Sequence, residues 1–436
     1  MLKSEGFKKY FFNTSWLFFE QVVRLSVSFF VSIYVARYLG PEQFGLLNYS
    51  IGFVALFTAI SALGMEQIVI RELIKNDRKK DLLLGTAFWL KAAGAFLVLV
   101  LLTIGVHFTS NDSFTNLLIF IIAVGTLFQA INVVDFYFQA QVQSKFTVII
   151  RFWSTIGIAA LKIYLMSVEA SLVWFAVLIL LENILLAFGY ILVYKLRGNY
   201  ILSWVFDFEI AKSLIQSSWP LMFSSIFVSV YMKIDQVMLK EMMNTQAVGL
   251  YSSAVILSEA WYFVPVVIVG SFFPAIVESK KISDKLYEER LELLYGIVVW
   301  IAIFIAIPIT FLGDWIITLI YGIEYAGAAS VLKIHIWAAV FVFLGVANSQ
   351  WLIIENYMQF SFYRTFIGAI SNIALNALLI PILGIEGAAI ATVISYAIAS
   401  YLSLIFVKPL RRNLWLSTNS INPFRTYRKL RVFMER

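Results

Sequence analysis

The chain has 436 residues, of which 61% are hydrophobic and 14% carry a formal charge. Soluble proteins are about 45–50% apolar and about 25% charged, so this composition excludes an ordinary soluble globular fold. The sequence has no cysteine and two histidines, which excludes disulfides, thiolate chemistry and a histidine-rich metal site.

Apolar stretches follow one another along the chain. A bilayer core is crossed by about 20 apolar residues in a helix, whereas the strands of a membrane barrel would alternate over about 10 residues. The stretches predict twelve transmembrane helices, at 14–37, 44–65, 82–106, 116–140, 147–167, 171–194, 213–239, 248–277, 291–312, 326–353, 362–382 and 387–407. The first stretch is too long for a cleavable signal peptide and continues into a second helix.

The loops between these helices alternate in charge. Basic residues mark one set of loops: Lys75, Arg78, Lys79, Lys80, Lys145, Arg151, Lys195, Arg197, Lys212, Lys280, Lys281, Lys285, Arg290, Arg364 and the tail at 408–436. Acidic residues mark the other set: Glu42, Asp112, Glu169, Glu241, Asp314, Glu324 and Glu386. By the positive-inside rule both termini are predicted to lie in the cytoplasm.

Two halves of the chain resemble each other. The second helix opens with GLLNYS at 45–50 and the eighth with GLYSSA at 249–254. Two six-helix halves joined by a polar connector predict a parallel duplication about an axis along the membrane normal, although coincidence between apolar segments stays open. The predicted domains are a six-helix lobe at 1–194, a cytoplasmic connector at 195–212, a second lobe at 213–407 and a basic cytoplasmic tail at 408–436.

Three further motifs suggest a family. They are YLGPEQFG at 38–45, KIDQVML at 233–239 with VGLY at 248–251, and GAAIATVISY at 387–396. In this order they resemble the Wzx-type O-antigen flippases, within the superfamily that also holds MATE drug exporters and the MurJ lipid II flippase. The resemblance covers nearly the whole chain. MurJ-like proteins commonly have two more helices than the chain has room for, which favours the Wzx type.

The resemblance implies a MATE-like, two-lobed membrane transporter that uses no cofactor, binds no nucleic acid and is not an enzyme. It would move an undecaprenyl-pyrophosphate-linked oligosaccharide from the inner to the outer leaflet of a bacterial cytoplasmic membrane by alternating access. Its implied partners are that lipid, membrane lipids, and the polymerase and chain-length proteins of an export pathway. Two alternatives stay open, an ion-coupled MATE-type exporter of small molecules and a membrane polysaccharide polymerase.

Charged residues inside the predicted helices are the candidate site. A base at the bilayer centre costs about 2.5–3.5 kcal/mol on insertion scales and usually faces protein or water. The predicted substrate-binding residues are Arg24, Lys91, Lys233, Arg37 and Lys162, and those predicted for ion coupling or gating are Asp135, Asp235, Glu259 and Glu20. Such bases could pair with a pyrophosphate. The alternative is that they form internal pairs, since Glu20 and Arg24 lie four residues apart.

Overall fold

Every regular element in the described part of the chain is helical. The computed structural model describes residues 5–434, together with the side chains of 13, 15–76 and 78–431. The all-α fold predicted from the sequence is confirmed over these residues. The outermost residues of the predicted first lobe and tail, 1–4 and 435–436, lie outside the described part.

Sixteen α-helices follow one another along residues 5–434. The first eight are α1 Glu5–Ala62, α2 Glu66–Lys75, α3 Lys80–Gly105, α4 Ser113–Phe128, α5 Val133–Ala140, α6 Lys145–Ser167, α7 Leu172–Leu196 and α8 Phe208–Met242. The others are α9 Thr245–Glu259, α10 Phe263–Ile282, α11 Asp284–Tyr321, α12 Ala328–His335, α13 Ala338–Ile354, α14 Gln359–Ser400, α15 Arg411–Ser420 and α16 Pro423–Met434. Short 3₁₀ turns connect several of them.

Ten helical segments of the described chain are long and apolar enough to cross a membrane. Two of the ten contain a glycine with a positive φ that breaks the helix, Gly40 (φ 69°) in α1 and Gly384 (φ 59°) in α14. A Cβ on Gly387 would lie 2.3 Å from the carbonyl oxygen of Leu379, so the chain turns back on itself at Gly384. Dividing both helices at these glycines gives the twelve predicted segments, while the number of crossings stays a prediction.

Three predicted helices are interrupted. The fourth breaks in the 3₁₀ turn Gln129–Asn132, the eighth at 260–262 and the tenth at 336–337. The expectation of continuous helices at 116–140, 248–277 and 326–353 is therefore wrong at these points, whereas the second predicted helix ends at Ala62, three residues before its predicted bound. Hydropathy missed the breaks because the interrupting residues are largely apolar and lack the proline or clustered glycines that mark a helix end.

The chain forms two compact units, 1–229 and 230–436. In the first unit, the core packs α2, α3, α5 and α7 around Met65, Leu84, Val133, Phe138 and Tyr194. In the second, α10, α11 and α13 pack around Val269, Leu294, Tyr295, Phe343 and Trp351. The division falls inside α8, and the lobe boundaries drawn from the sequence stay a prediction.

The loops of the first unit gather at two ends. At one end Asn13 is hydrogen-bonded to Ser144 and Lys80 to Asn199. At the other end Tyr38 donates to the Ala170 carbonyl over 2.9 Å, and Tyr49 donates to Asn111. The first end joins loops of the basic set and the second joins loops of the acidic set. We call the first the basic end; its cytoplasmic orientation rests on the charge rule alone.

The basic tail is folded against the second unit. Lys429 Nζ lies 2.6 Å from Glu292 on α11, Arg425 pairs with the same carboxylate, and Arg412 pairs with Glu288. Thr426 sits so close to Gly296 that a Cβ there would lie 2.3 Å from its hydroxyl oxygen. The tail helices α15 and α16 are thus a packed layer of this unit.

The close approach at Gly387 predicts that even a methyl group is not accommodated there. We expect Gly387→Ala to lower the free energy of unfolding by about 1–3 kcal/mol, because the added carbon overpacks a backbone that cannot shift easily. Thermal unfolding of the purified protein in detergent measures the effect. Gly270→Ala is the control, since a Cβ there meets nothing within 4 Å; equal shifts in the two variants would contradict the prediction.

Candidate functional site

Two arginines of the first unit share two acids within membrane-spanning helices. Arg24 Nε on α1 lies 2.9 Å from Glu20 Oε1, as the four-residue spacing predicted. Arg151 on α6 lies 4.0 Å from the other oxygen of Glu20 and 3.6 Å from Asp135 Oδ1 on α5. Three helices therefore meet at these four charges, which we call the charge cluster.

Close helix packing positions Arg151. A Cβ on Gly189 of α7 would lie only 2.4 Å from Ile150 of α6, so glycine lets the two helices approach at this level. The approach brings the buried Tyr190 into the electrostatic neighbourhood of Arg151 and Asp135. A charged cluster at the crossing of packed helices is fixed in position by the surrounding backbone.

Lys91 joins the edge of the cluster. Its side chain on α3 is 7% exposed, and its Nζ lies 5.4 Å from the ring centroid of Phe136. Glu66 is the acid that attracts it. Gln139 connects this pair to the cluster, because its amide donates to Asp135 over 2.9 Å and to Glu66 over 3.4 Å.

The cluster keeps hydrogen-bonding capacity. Arg151 Nε and Nη2 are buried but have no hydrogen-bond acceptor among the described residues. The Arg24 side chain is 40% exposed, whereas that of Glu20 is 3% exposed. A guanidinium carries five N–H donors, so both arginines can hold their acids and still donate to an anionic group.

Two predicted site residues of this unit lie away from the cluster. Arg37 is exposed near the opposite end of the same arm of α1, about 20 Å from Arg24 along the helix at 1.5 Å per residue. Lys162 lies about 16 Å beyond Arg151 on α6 by the same measure. Its electrostatic partner is Glu182 on α7, which also attracts Arg24.

Asp235 of the second unit is enclosed by hydrogen-bond donors. It is 3% exposed and accepts from Tyr251 (2.5 Å), Thr392 (2.6 Å) and Asn376 (2.5 Å). Asn376 and Thr392 lie on the two arms of α14, on opposite sides of Gly384. The carboxylate therefore ties α8, α9 and both arms of α14 together.

Lys233 and Glu259 lie beside this network. Both side chains are partly buried, and the charge of Lys233 attracts the carboxylate of Glu259. Asp235 adds a repulsion to Glu259. The sequence predicted Lys233 for substrate binding and Asp235 for ion coupling or gating, and the hydrogen-bond partners of Asp235 are the neutral groups named above.

A model of the family described as "Polysaccharide biosynthesis protein" matches residues 11–280. The chain belongs to this family. The matched range includes the whole charge cluster as well as Asp235 and Glu259.

Similar proteins match more than nine-tenths of the chain. An uncharacterized membrane protein of Methanocaldococcus jannaschii is 24% identical over 441 aligned positions, covering 93% of this chain and 85% of the relative. The fold is like that of the lipid II flippase MurJ in an inward closed conformation, with a TM-score of 0.70, 16% identity, and coverage of 96% of this chain and 95% of that one.

Transporters share the same fold. An inward-facing multidrug resistance MATE family transporter of the MOP superfamily gives a TM-score of 0.68 at 15% identity, with 91% of this chain and 95% of that chain covered. A MOP superfamily transporter from Pyrococcus furiosus, described as having a binding pocket of reversed polarity, gives a TM-score of 0.56 at 14% identity. That match covers 91% of this chain and 96% of the transporter. The resemblance seen in the sequence motifs is confirmed, and the fold is MATE-like and MurJ-like.

Sequence reasoning missed two arginines by counting them with the cytoplasmic loops. Arg151 lies in α6 within the charge cluster. Arg364 lies in α14, is 8% exposed, donates to the Ala399 carbonyl over 3.0 Å and leaves Nη1 without a partner among the described residues. Arg364 has nearby tyrosines, Tyr231 and Tyr295, as its electrostatic partners. Both arginines lie a few residues inside a predicted transmembrane helix, and this position was the sequence signal that could have identified them as membrane-embedded bases.

The Asp235 network predicts a large loss of stability on truncation. We expect Asp235→Ala to lower the free energy of unfolding by at least about 3 kcal/mol, because it strands three buried donors. Tyr251→Phe removes one donor and should cost about 1–3 kcal/mol. Unfolding in a denaturing detergent measures both.

The matched control for this prediction is Asp314→Ala. The side chain of Asp314 is 73% exposed in its pair with Lys333, and surface pairs contribute about 0–1 kcal/mol. If Asp235→Ala unfolded no more easily than Asp314→Ala, the network would not stabilise the unit.

Proposed function

We propose that the chain is a flippase that moves an undecaprenyl-pyrophosphate-linked oligosaccharide, an O-antigen or related surface repeat unit, from the cytoplasmic to the periplasmic leaflet of a bacterial inner membrane. Family membership supports a role in polysaccharide biosynthesis. The observation that carries the proposal is the charge cluster, whose two arginines keep donors available to an anion within the membrane-spanning helices.

The energetics of the substrate explain why such a cluster is needed. A pyrophosphate carries at least two charges, and moving an ion into hydrocarbon without compensation costs tens of kcal/mol in the idealised limit. Arginine binds phosphate oxygens through a bidentate fork. Glu20 and Asp135 hold the guanidiniums in place and balance their charge in the absence of substrate.

Alternating access would carry the head group past the cluster while the lipid tail stays in the bilayer. Under this proposal Lys91, next to the cluster, assists the arginines. Lys233, Arg37 and Lys162 serve the path toward the far side. Asp235 and Glu259 act in gating through the second unit. The roles of ion coupling and of polymerase and chain-length partners belong to the same proposal.

One observation favours the alternative function, export of drugs. The cluster and its surroundings contain as many acids as bases, with Glu20, Asp135 and Glu66 beside Arg24, Arg151 and Lys91. A cationic drug could bind the acids if the bases were released. The flippase remains our proposal because the acids of the charge cluster are less exposed than its bases: the side chains of Glu20 and Asp135 are 3% and 10% exposed, and those of Arg24 and Arg151 are 40% and 23% exposed.

Cells that lack the gene provide the first test. We expect a lipid-linked repeat unit to accumulate on the cytoplasmic side and surface polysaccharide to disappear, because polymerisation on the outer face would have no substrate. Extraction of the lipid pool and staining of the surface glycan measure both. An unchanged lipid pool with intact surface glycan would contradict the flippase and leave the exporter as the better reading.

Variants of Arg24 distinguish a role in substrate binding from a role in helix packing. We expect Arg24→Gln to abolish export at an unchanged protein level, because an amide cannot neutralise phosphate. The single variant leaves the negative charge of Glu20 without the positive charge of Arg24. The double variant, Glu20→Gln with Arg24→Gln, removes both charges. If Arg24 contacts substrate, the double variant stays inactive; if export returned, the pair would act in packing alone.

A further inference from the structure

A cavity of about 460 Å³ lies at the basic end of the first unit, outside the charge cluster. Its lining residues come from the start of α1, the turn after α5, the start of α6 and the residue after α7: Asn13, Trp16, Val142, Gln143, Lys145, Phe146 and Arg197. The sequence places Lys145 and Arg197 only among the basic loop residues that set topology.

The two bases of the cavity are arranged around one aromatic ring. The guanidinium carbon of Arg197 lies 3.6 Å from the ring centroid of Phe146, and Lys145 Nζ lies 5.0 Å from it. Stacking on a ring restrains a flexible base without neutralising it. Both bases are exposed, so their charges are accessible from solvent.

The described residues that line this cavity include no acid, in contrast to the charge cluster. Among the side chains described, neither Lys145 nor Arg197 forms an ion pair with a carboxylate. The cavity therefore concentrates two positive charges. Arginine and lysine together suit a phosphate group, the first by a planar fork and the second as a point charge.

The remaining lining suits a sugar. Trp16 is 42% exposed, and an indole face can stack on the C–H face of a sugar ring. The Gln143 amide is exposed at the rim and can exchange hydrogen bonds with hydroxyl groups. Asn13 is used structurally, since it bonds both the hydroxyl and the backbone N–H of Ser144, and this holds α1 against the wall of the cavity.

The cavity and the charge cluster lie along the same helices. Trp16, Glu20 and Arg24 follow one another at four-residue spacing, so they share one face of α1. Lys145 and Arg151 lie on α6, about 9 Å apart along its axis. A group that left the cavity and moved along α1 and α6 would reach the arginines of the cluster within about two helical turns.

We propose that this cavity is the receiving site for the diphosphate and first sugar of a polyprenyl-diphosphate saccharide. Arg197 and Lys145 bind the phosphate oxygens, Trp16 stacks on the sugar, and the head group then passes to Arg24 and Arg151. This inference rests on the proposed function and adds a place where the substrate is selected before it enters the membrane-spanning helices.

Binding to the full-length purified chain tests the cavity directly. The protein is placed in nanodiscs of zwitterionic lipid, and the probe is a farnesyl-diphosphate-linked N-acetylglucosamine. We expect Arg197→Gln and Lys145→Gln each to weaken binding by about tenfold or more, since a charge-assisted hydrogen bond is lost. Arg78→Gln is the matched control, because Arg78 is an exposed base in another loop of the basic set. This variant should bind the probe as tightly as the wild-type protein does.

Two competitors identify the ligand. Trp16→Leu should weaken binding of the sugar probe but leave competition by inorganic pyrophosphate unchanged, because only the sugar uses the indole. Phosphatidylglycerol offers a phosphate without a sugar and should compete poorly. If it competed as well as the probe, or if Trp16→Leu weakened both ligands equally, the cavity would be a general anion site and the proposal would be overturned.

Export separates failure of this inference from failure of the proposed function. The Arg197→Gln, Lys145→Gln double variant should export more slowly than the wild type, and a higher substrate level should partly restore its export rate. A higher substrate level should not restore export by the Arg24→Gln variant. If cells lacking the gene accumulate the lipid-linked repeat but the double variant binds and exports normally, only the cavity proposal fails. If those cells accumulate nothing, the flippase itself fails.

Discussion

A guanidinium in a membrane-spanning helix needs a partner, and this requirement organises the first unit. Arg24 and Arg151 divide two acids between them, with Glu20 contacting both. Removing Glu20 would take an ion-pair partner from both guanidiniums, and removing Asp135 would take one from Arg151. The arrangement therefore fixes how α1, α5 and α6 meet, and the same arginines remain able to donate further. Under the proposed function, the same side chains provide structural support and bind the anion.

The second unit solves the same problem differently. Its buried acid, Asp235, is held by neutral donors on three helices, and its buried base, Arg364, donates to a backbone carbonyl. Neither arrangement leaves exposed charge comparable to that of Arg24. Under the proposed function, contact with an anionic head group would fall mainly to the first unit, whereas the buried charges of the second unit fix helix geometry.

Hydropathy and loop charge were enough to predict the helical fold and the positions of its long apolar segments, because both depend on the composition of whole stretches. Hydropathy and loop charge did not predict features that depend on single residues, such as helix breaks and contacts between helices. The helix breaks at 260–262 and 336–337 contain neither glycine nor proline, so composition gives no signal for them. The pairing of Glu20 with Arg24 could be predicted because it is local. The contacts of Arg151 with Glu20 and Asp135 could not, since they join residues more than a hundred positions apart or on separate helices.

The packed tail has a consequence for how the protein is made. Asn348 is fully buried on α13, and its amide oxygen accepts from Asn413 on α15 over 3.1 Å. Asn413 in turn accepts from Tyr295 on α11. Asn413 follows α11 and α13 in the chain, so both helices are synthesised before these hydrogen bonds can form. The second unit thus completes this part of its core only once α15 has been made, and a chain terminated before α15 would leave buried polar groups of α11 and α13 without these partners.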